Sequence, residues 1–188
     1  MQQIIDGPRD GVVVYCASSS QVDPHFLRTA RTMGRLIAES GLRLVTGGGV
    51  FGLMGQSIEG CIEAGGEAIG VLPQFMIDRE WAHPDLTQVI STPTMHVRKE
   101  TMARMSRAAV ALAGGIGTLD ELAEIMTWRQ LKLYDGPVII VNTDGYYDPL
   151  IEMFRRMKSE GFMRDHAIPA TVVDTPAEAI DIIRSIRL

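Results

Sequence analysis

The segment Gly114-Gly115-Ile116-Gly117-Thr118-Leu119-Asp120-Glu121 concentrates more usable chemistry than any other part of the chain. Glycines at a strand exit remove side-chain bulk. The N–H groups of the loop and of the next helix start can then converge on a phosphate. Thr118 adds a hydroxyl and Glu121 a carboxylate. The P-loop Lys is missing, which argues against a nucleoside triphosphatase. A second reading needs no ligand: Thr118-x-x-Glu121 is a capping-box pattern. Upstream, Met95-His96-Val97-Arg98-Lys99 opens a helix with two adjacent cations, against the helix macrodipole. A bound anion would remove that conflict, and two solvated charges on an exposed face would also explain the pair.

Two further loops could meet an anion. Gly47-Gly48-Gly49-Val50-Phe51-Gly52 matches G-x-G-x-x-G between a strand and a helix. The next strand ends Val71-Leu72-Pro73, without the acid that would hold a ribose, so a dinucleotide site is not expected. What remains is a loop whose amides, at Gly48 and Gly49, can approach an anion, or else tight helix–strand packing. Ser18, Ser19 and Ser20 follow the first strand. They either donate to a phosphate or cap the next helix.

Repeated strand–helix units must position these loops. Strands are expected at 11–16, 42–46, 67–72, 108–113, 137–141 and 171–173, with a short one at 87–91. Helices are expected at 24–40, 53–64, 95–107, from the Gly117-Thr118 turn to about 131, 146–160 and 176–186. The strands are continuously apolar rather than alternating, as in a parallel sheet covered on both faces. This predicts one α/β domain over 1–188, doubly wound and Rossmann-like, with a mostly parallel sheet of about seven strands. Ligands of such sheets lie beyond the carboxyl ends of the strands, where these loops are.

Composition narrows the function. The 188 residues carry 18 Lys+Arg against 23 Asp+Glu, a net charge of −5, which disfavours general binding to nucleic acid or anionic membrane. Only Lys99, Lys132 and Lys158 are lysines, so the cations are mostly Arg, the better fork for phosphate. Cys16 and Cys61 cannot build a disulfide framework or a four-ligand zinc site. His25, His83, His96 and His166 show no metal-ligand spacing, and neither metal nor cofactor is expected. The polar start at 1–10 and the absence of a run of about 20 apolar residues suggest a reduced, cytoplasmic protein.

Taken together and in order, the motifs resemble the LOG ("lonely guy") family of cytokinin riboside 5′-monophosphate phosphoribohydrolases. The family's P-G-G-x-G-T-x-x-E falls on Ala113–Glu121, M-x-x-R-K on Met95–Lys99 and G-G-G-x-x-G-L-M-G on Gly47–Gly55. Thr127–Leu131 and Asn142–Tyr147 are also family-like. Two residues depart from the pattern: Ala113 replaces a proline, and Arg107 stands where an acid is usual. The resemblance implies cleavage of the N-glycosidic bond of adenosine 5′-monophosphates, giving a free base and ribose 5-phosphate. It implies Arg98 and Glu121 as the catalytic pair. Nucleotide contacts would come from Glu80, Arg98, Lys99, Gly115, Ile116, Gly117, Thr118, Leu119, Asp120, Glu121 and Thr127. It also implies a homodimer or larger assembly, for which exposed Met and Leu of the helices at 95–107 and 121–133 are candidates. Within the same fold the alternative is a nucleotide-binding or carrier protein that does not hydrolyse. A pyridoxal-dependent lysine decarboxylase is disfavoured, since only Lys99 lies near a motif.

Overall fold

The computed structural model describes residues 9–163 and 168–186; residues 1–8 of the polar start at 1–10, and His166, lie outside them. Seven strands form one parallel sheet: β1 Gly11–Tyr15, β2 Arg43–Thr46, β3 Ala68–Pro73, β4 Gln88–Thr92, β5 Ser106–Ala111, β6 Val138–Val141 and β7 Thr171–Val173. Their order is β4-β3-β2-β1-β5-β6-β7, and every pairing is parallel. The order reverses between β1 and β5. That is a topological switch point, where the loops leaving neighbouring strands diverge and open a crevice.

The helices are α1 Pro24–Glu39, α2 Gly52–Glu63, α3 Gln74–Ile77, α4 Met95–Arg104, α5 Ile116–Gln130, α6 Asp148–Ser159 and α7 Pro176–Arg184. Alternate residues of each central strand feed two cores. Val12 and Val14 pack with α1, α2 and α7, while Val13 and Tyr15 pack with α4, α5 and α6. This double burial accounts for the unbroken apolar strands. Local signals set the helix starts. Asp23 caps α1, Thr94 caps α4, and a complete capping box of Thr175 and Glu178 opens α7.

Two expectations need correction. The helix expected to run to Arg107 ends at Arg104. Gly11 N–H bonds Met105 O, and the Ser106 hydroxyl donates to Met102 O, so the chain turns into β5 earlier. Arg107 therefore lies in a strand, where its guanidinium donates to Ile186 O at 2.8 Å and ties down the C-terminal segment. The capping box expected at Thr118 and Glu121 is not made. Helix α5 begins at Ile116 behind Gly115, with no side-chain cap, and Thr118 and Glu121 are both buried inside it.

Candidate active site

A cavity of about 650 Å³ opens at the switch point. One wall is the β1 exit, Cys16 to Ser19. A second is the start of α5, with Gly115, Gly117, Thr118 and Glu121. A third is the loop after β2 with Gly47, Gly49, Val50, Phe51 and Met54. Leu72, Met76 and Trp81 add apolar lining, and Arg98 reaches in from α4. The lining combines apolar side chains, which suit an aromatic ring, with the polar groups of the α5 start.

Arg98 and Glu121 meet there, although 23 positions separate them. Arg98 Nη1 donates to Glu121 Oε1 at 3.1 Å, and Arg98 Nε donates to Val71 O at 2.9 Å. Both side chains are nearly buried, at 7% and 10% exposure. The guanidinium is thus anchored to β3 at one nitrogen and turned onto the carboxylate at another. Gly47 makes the space: a Cβ there would overlap the Arg98 guanidinium. Burial pushes the Glu121 carboxyl above its ordinary value, and Asp120 adds to the push while Arg98 opposes it. Burial and the Glu121 charge likewise raise the neighbouring Cys16 thiol, which disfavours a thiolate.

The glycine loops divide the work. In the loop after β2 three amides are already engaged. Gly49 N–H bonds Met54 Sδ at 2.9 Å, Val50 N–H bonds Trp81 O at 3.1 Å, and Gly52 N–H bonds Ser20 Oγ at 3.0 Å. Gly52, at φ +65°, also lets α2 approach closely, since a Cβ there would lie 2.5 Å from Ser19 O. This loop therefore shapes the cavity by packing, and the N–H groups of Gly49, Val50 and Gly52 are spent on partners within the chain. Gly48 packs on Gly70 and Leu72, while its carbonyl accepts from His83 N–H at 2.8 Å and so fixes the Trp81 segment. At the other loop, the first N–H groups of α5 have no intrahelical acceptor, and Gly115, Gly117 and Thr118 of this start line the cavity.

Of the residues singled out in the sequence, the cavity brings together Ser18, Ser19, Gly49, Arg98, Gly115, Gly117, Thr118 and Glu121. Gly48, Glu80, Lys99, Ile116, Leu119, Asp120 and Thr127 are not on its walls. Lys99 is buried between Asp120 at 2.9 Å and Glu124 at 3.3 Å. Burial disfavours its charge, but the two carboxylates outweigh this and hold the ammonium above its ordinary value. The adjacent cations of α4 are thus each paired with α5 carboxylates, which resolves their conflict with the helix dipole without a ligand. Ile116, Leu119 and Thr127 lie on the exposed side of α5, and Glu80 is exposed at φ +59°. Sequence reasoning missed Leu72, Met76 and Trp81, because nothing in their spacing marks them as neighbours of the glycine loops. Among the described residues, no cluster of His, Cys, Asp or Glu could hold a metal ion, and no helix is long and apolar enough to cross a membrane.

A doubly wound, Rossmann-like sheet with a cavity and a buried Arg–Glu pair at its switch point defines the class of protein. The chain belongs to the family described as possible lysine decarboxylase, which matches residues 54–183 and includes the cytokinin riboside 5′-monophosphate phosphoribohydrolases. It is 38% identical over 176 residues to the enzyme of that name from Rhodococcoides fascians, covering 93% of this chain and 89% of the relative. A probable enzyme of the same name from Oryza sativa subsp. japonica is 39% identical over 153 residues, 81% of this chain and 69% of the relative. Among solved structures, the molybdenum cofactor carrier protein of Chlamydomonas reinhardtii is similar with a TM-score of 0.71 and 27% identity, over 94% of this chain and 96% of that one.

Proposed function

We propose that the cavity is the active site of a phosphoribohydrolase acting on adenosine 5′-monophosphates, either AMP or its N6-modified forms. The observation that carries this reading is the buried Arg98–Glu121 pair beside the uncapped start of α5. The phosphate lies at the N–H groups of Gly115, Gly117 and Thr118, where the helix start favours a dianion. The base occupies the apolar end formed by Met54, Leu72, Met76 and Trp81. The ribose then lies between them, against Glu121.

Breaking the ribosyl C–N bond sends the electron pair to the base and leaves positive charge on the sugar. Carboxylates meet the same problem in glycosidases. Glu121 faces this developing cation. Arg98 stays protonated, so it is no general base; it holds the carboxylate in place and ionised. Water supplies the hydroxyl that ends on C1′, and its other proton goes to the departing base.

The exposed apolar side chains Met95, Leu119, Leu131 and Leu133 of α4, α5 and the turn after α5 are the candidates for the contact of a homodimer or larger assembly. The setting is cytoplasmic. The carrier reading keeps its place through the likeness to the carrier protein, and it leaves the Arg98–Glu121 pair without a task. The test compares base release from AMP, N6-isopentenyl-AMP, adenosine and ATP. The monophosphates are cleaved, adenosine barely, because phosphate binding orients the ribose, and ATP is a poorer substrate than AMP. Cleavage of adenosine as efficient as that of AMP would refute the phosphate assignment.

A further inference from the structure

The Asn142–Tyr147 motif lies outside the cavity and has no role in the chemistry above. Its fold is specific. Asn142 Oδ1 accepts from Tyr147 N–H at 2.7 Å and its Nδ2 donates to Asp148 at 2.8 Å. Asp144 and Gly145 take φ of +52° and +71°, which swings the chain back over the exit of β5. Two tyrosine hydroxyls then grip that exit: Tyr147 donates to Leu112 O at 2.7 Å, and Tyr146 donates to Gly114 O at 2.6 Å. Tyr146 is held edge-on between Phe26, 5.7 Å away, and Tyr147, 5.0 Å away.

The bond to Gly114 O has a consequence on the cavity side. There are no cis peptides among the described residues, so the Gly114 carbonyl and the Gly115 N–H share a planar trans unit and point in opposite directions. Gly115 lines the cavity, and among the described residues its N–H has no acceptor in the chain. A glycine pair has the backbone freedom to flip this peptide, which would turn a carbonyl dipole toward an incoming anion. We propose that Tyr146 is a positioning residue: by holding Gly114 O outward, its hydroxyl keeps the Gly115 N–H aimed into the cavity as a phosphate donor. The inference rests on the phosphate placement proposed above.

The test removes only the hydroxyl. Tyr146 is 44% exposed, so Tyr146→Phe keeps the ring contacts and the fold. The two product halves, ribose 5-phosphate and adenine, are titrated separately by calorimetry against wild type and variant, with melting temperature recorded. The Kd of ribose 5-phosphate rises about fivefold to tenfold, the scale of one misdirected hydrogen bond. The Kd of adenine and the melting temperature stay unchanged. Tyr147→Phe serves as comparison; its bond lies two residues earlier, so it lowers the melting temperature and spares the ribose 5-phosphate affinity. Unchanged affinity in Tyr146→Phe, an equal loss for both halves, or the same selective loss in Tyr147→Phe overturns the proposal. Wild type that binds ribose 5-phosphate without releasing base from AMP defeats the hydrolase reading alone, because the binding comparison still decides the role of Tyr146. Wild type that binds no ribose 5-phosphate defeats both.

Discussion

Glu121→Gln separates chemistry from architecture, because the two readings of this residue differ in what they ask of its charge. In the structure its Oε1 accepts one hydrogen bond, at 3.1 Å, from Arg98. The glutamine amide oxygen can keep that bond. Replacing a charge-assisted bond by a neutral one costs about 1 kcal/mol, and release of a carboxylate from a buried position offsets part of it. For a chain of this size about 1 kcal/mol moves the melting temperature by roughly 2–4 °C. The loss to the reaction is larger. The amide has no negative charge to set against the sugar cation, and removing one such preorganised group costs about 100-fold to 1000-fold in kcat. Adenine release from AMP by chromatography, AMP affinity by calorimetry and melting by circular dichroism read the three quantities. The expected result is kcat down at least 100-fold, AMP still bound and a melting temperature within about 4 °C. A kcat within tenfold of wild type would refute the role assigned to Glu121. Glu121→Ala is a poorer probe: it leaves Arg98 buried without its carboxylate, a cost of about 3–5 kcal/mol.

Three further outcomes follow from the same geometry. Arg98→Ala should abolish base release, whereas Lys99→Ala should change kcat less than about tenfold and act mainly on stability, since it leaves Asp120 and Glu124 without their ammonium; equal small effects on kcat would mean that Arg98 is only structural. Gly47→Ala should lower kcat by forcing the guanidinium off Glu121, which a crystal structure of the variant can check, and a fully active variant would contradict it. In a pH profile, kcat should fall as pH drops through the Glu121 pKa, with a midpoint above the ordinary 4.5 because burial raises it. A raised folded-state pKa favours the protonated form, so this group's contribution to stability is full at low pH and is lost as pH rises through the same midpoint. Activity and this part of stability therefore move in opposite directions, and Glu121→Gln should remove the acid limb.

The layer order of the fold was legible because strands buried on both faces read as continuous apolar runs, as Val12–Val14 and Val138–Val141 do. The glycine segment 114–117 was legible as a cavity wall for a similar reason: strand exit, glycines and helix start are adjacent in sequence. The pairing of Arg98 with Glu121 was legible only through the family resemblance, since spacing alone does not show where α4 lands across β3 and β5. Thr118 and Glu121 show how a local pattern misleads. Their spacing fits a cap, yet the helix starts two residues before Thr118, and the carboxylate turns to a tertiary partner. For the glycines at 47–52 the sequence left anion approach and tight packing both open. The N–H groups of Gly49, Val50 and Gly52 are taken by Met54, Trp81 and Ser20, contacts that no spacing within the motif reveals. The same holds for Tyr146, whose partner Gly114 is 32 positions away.

The most direct measurement is the product balance from purified protein and AMP alone. Adenine and ribose 5-phosphate are followed together by chromatography and mass spectrometry, with the reaction run in 18O-labelled water. Cleavage at the N-glycosidic bond predicts the two products in equal amounts, with one labelled oxygen in the ribose 5-phosphate and none in adenine. AMP that binds the protein but is recovered intact would contradict the account and leave a binding or carrier protein in its place.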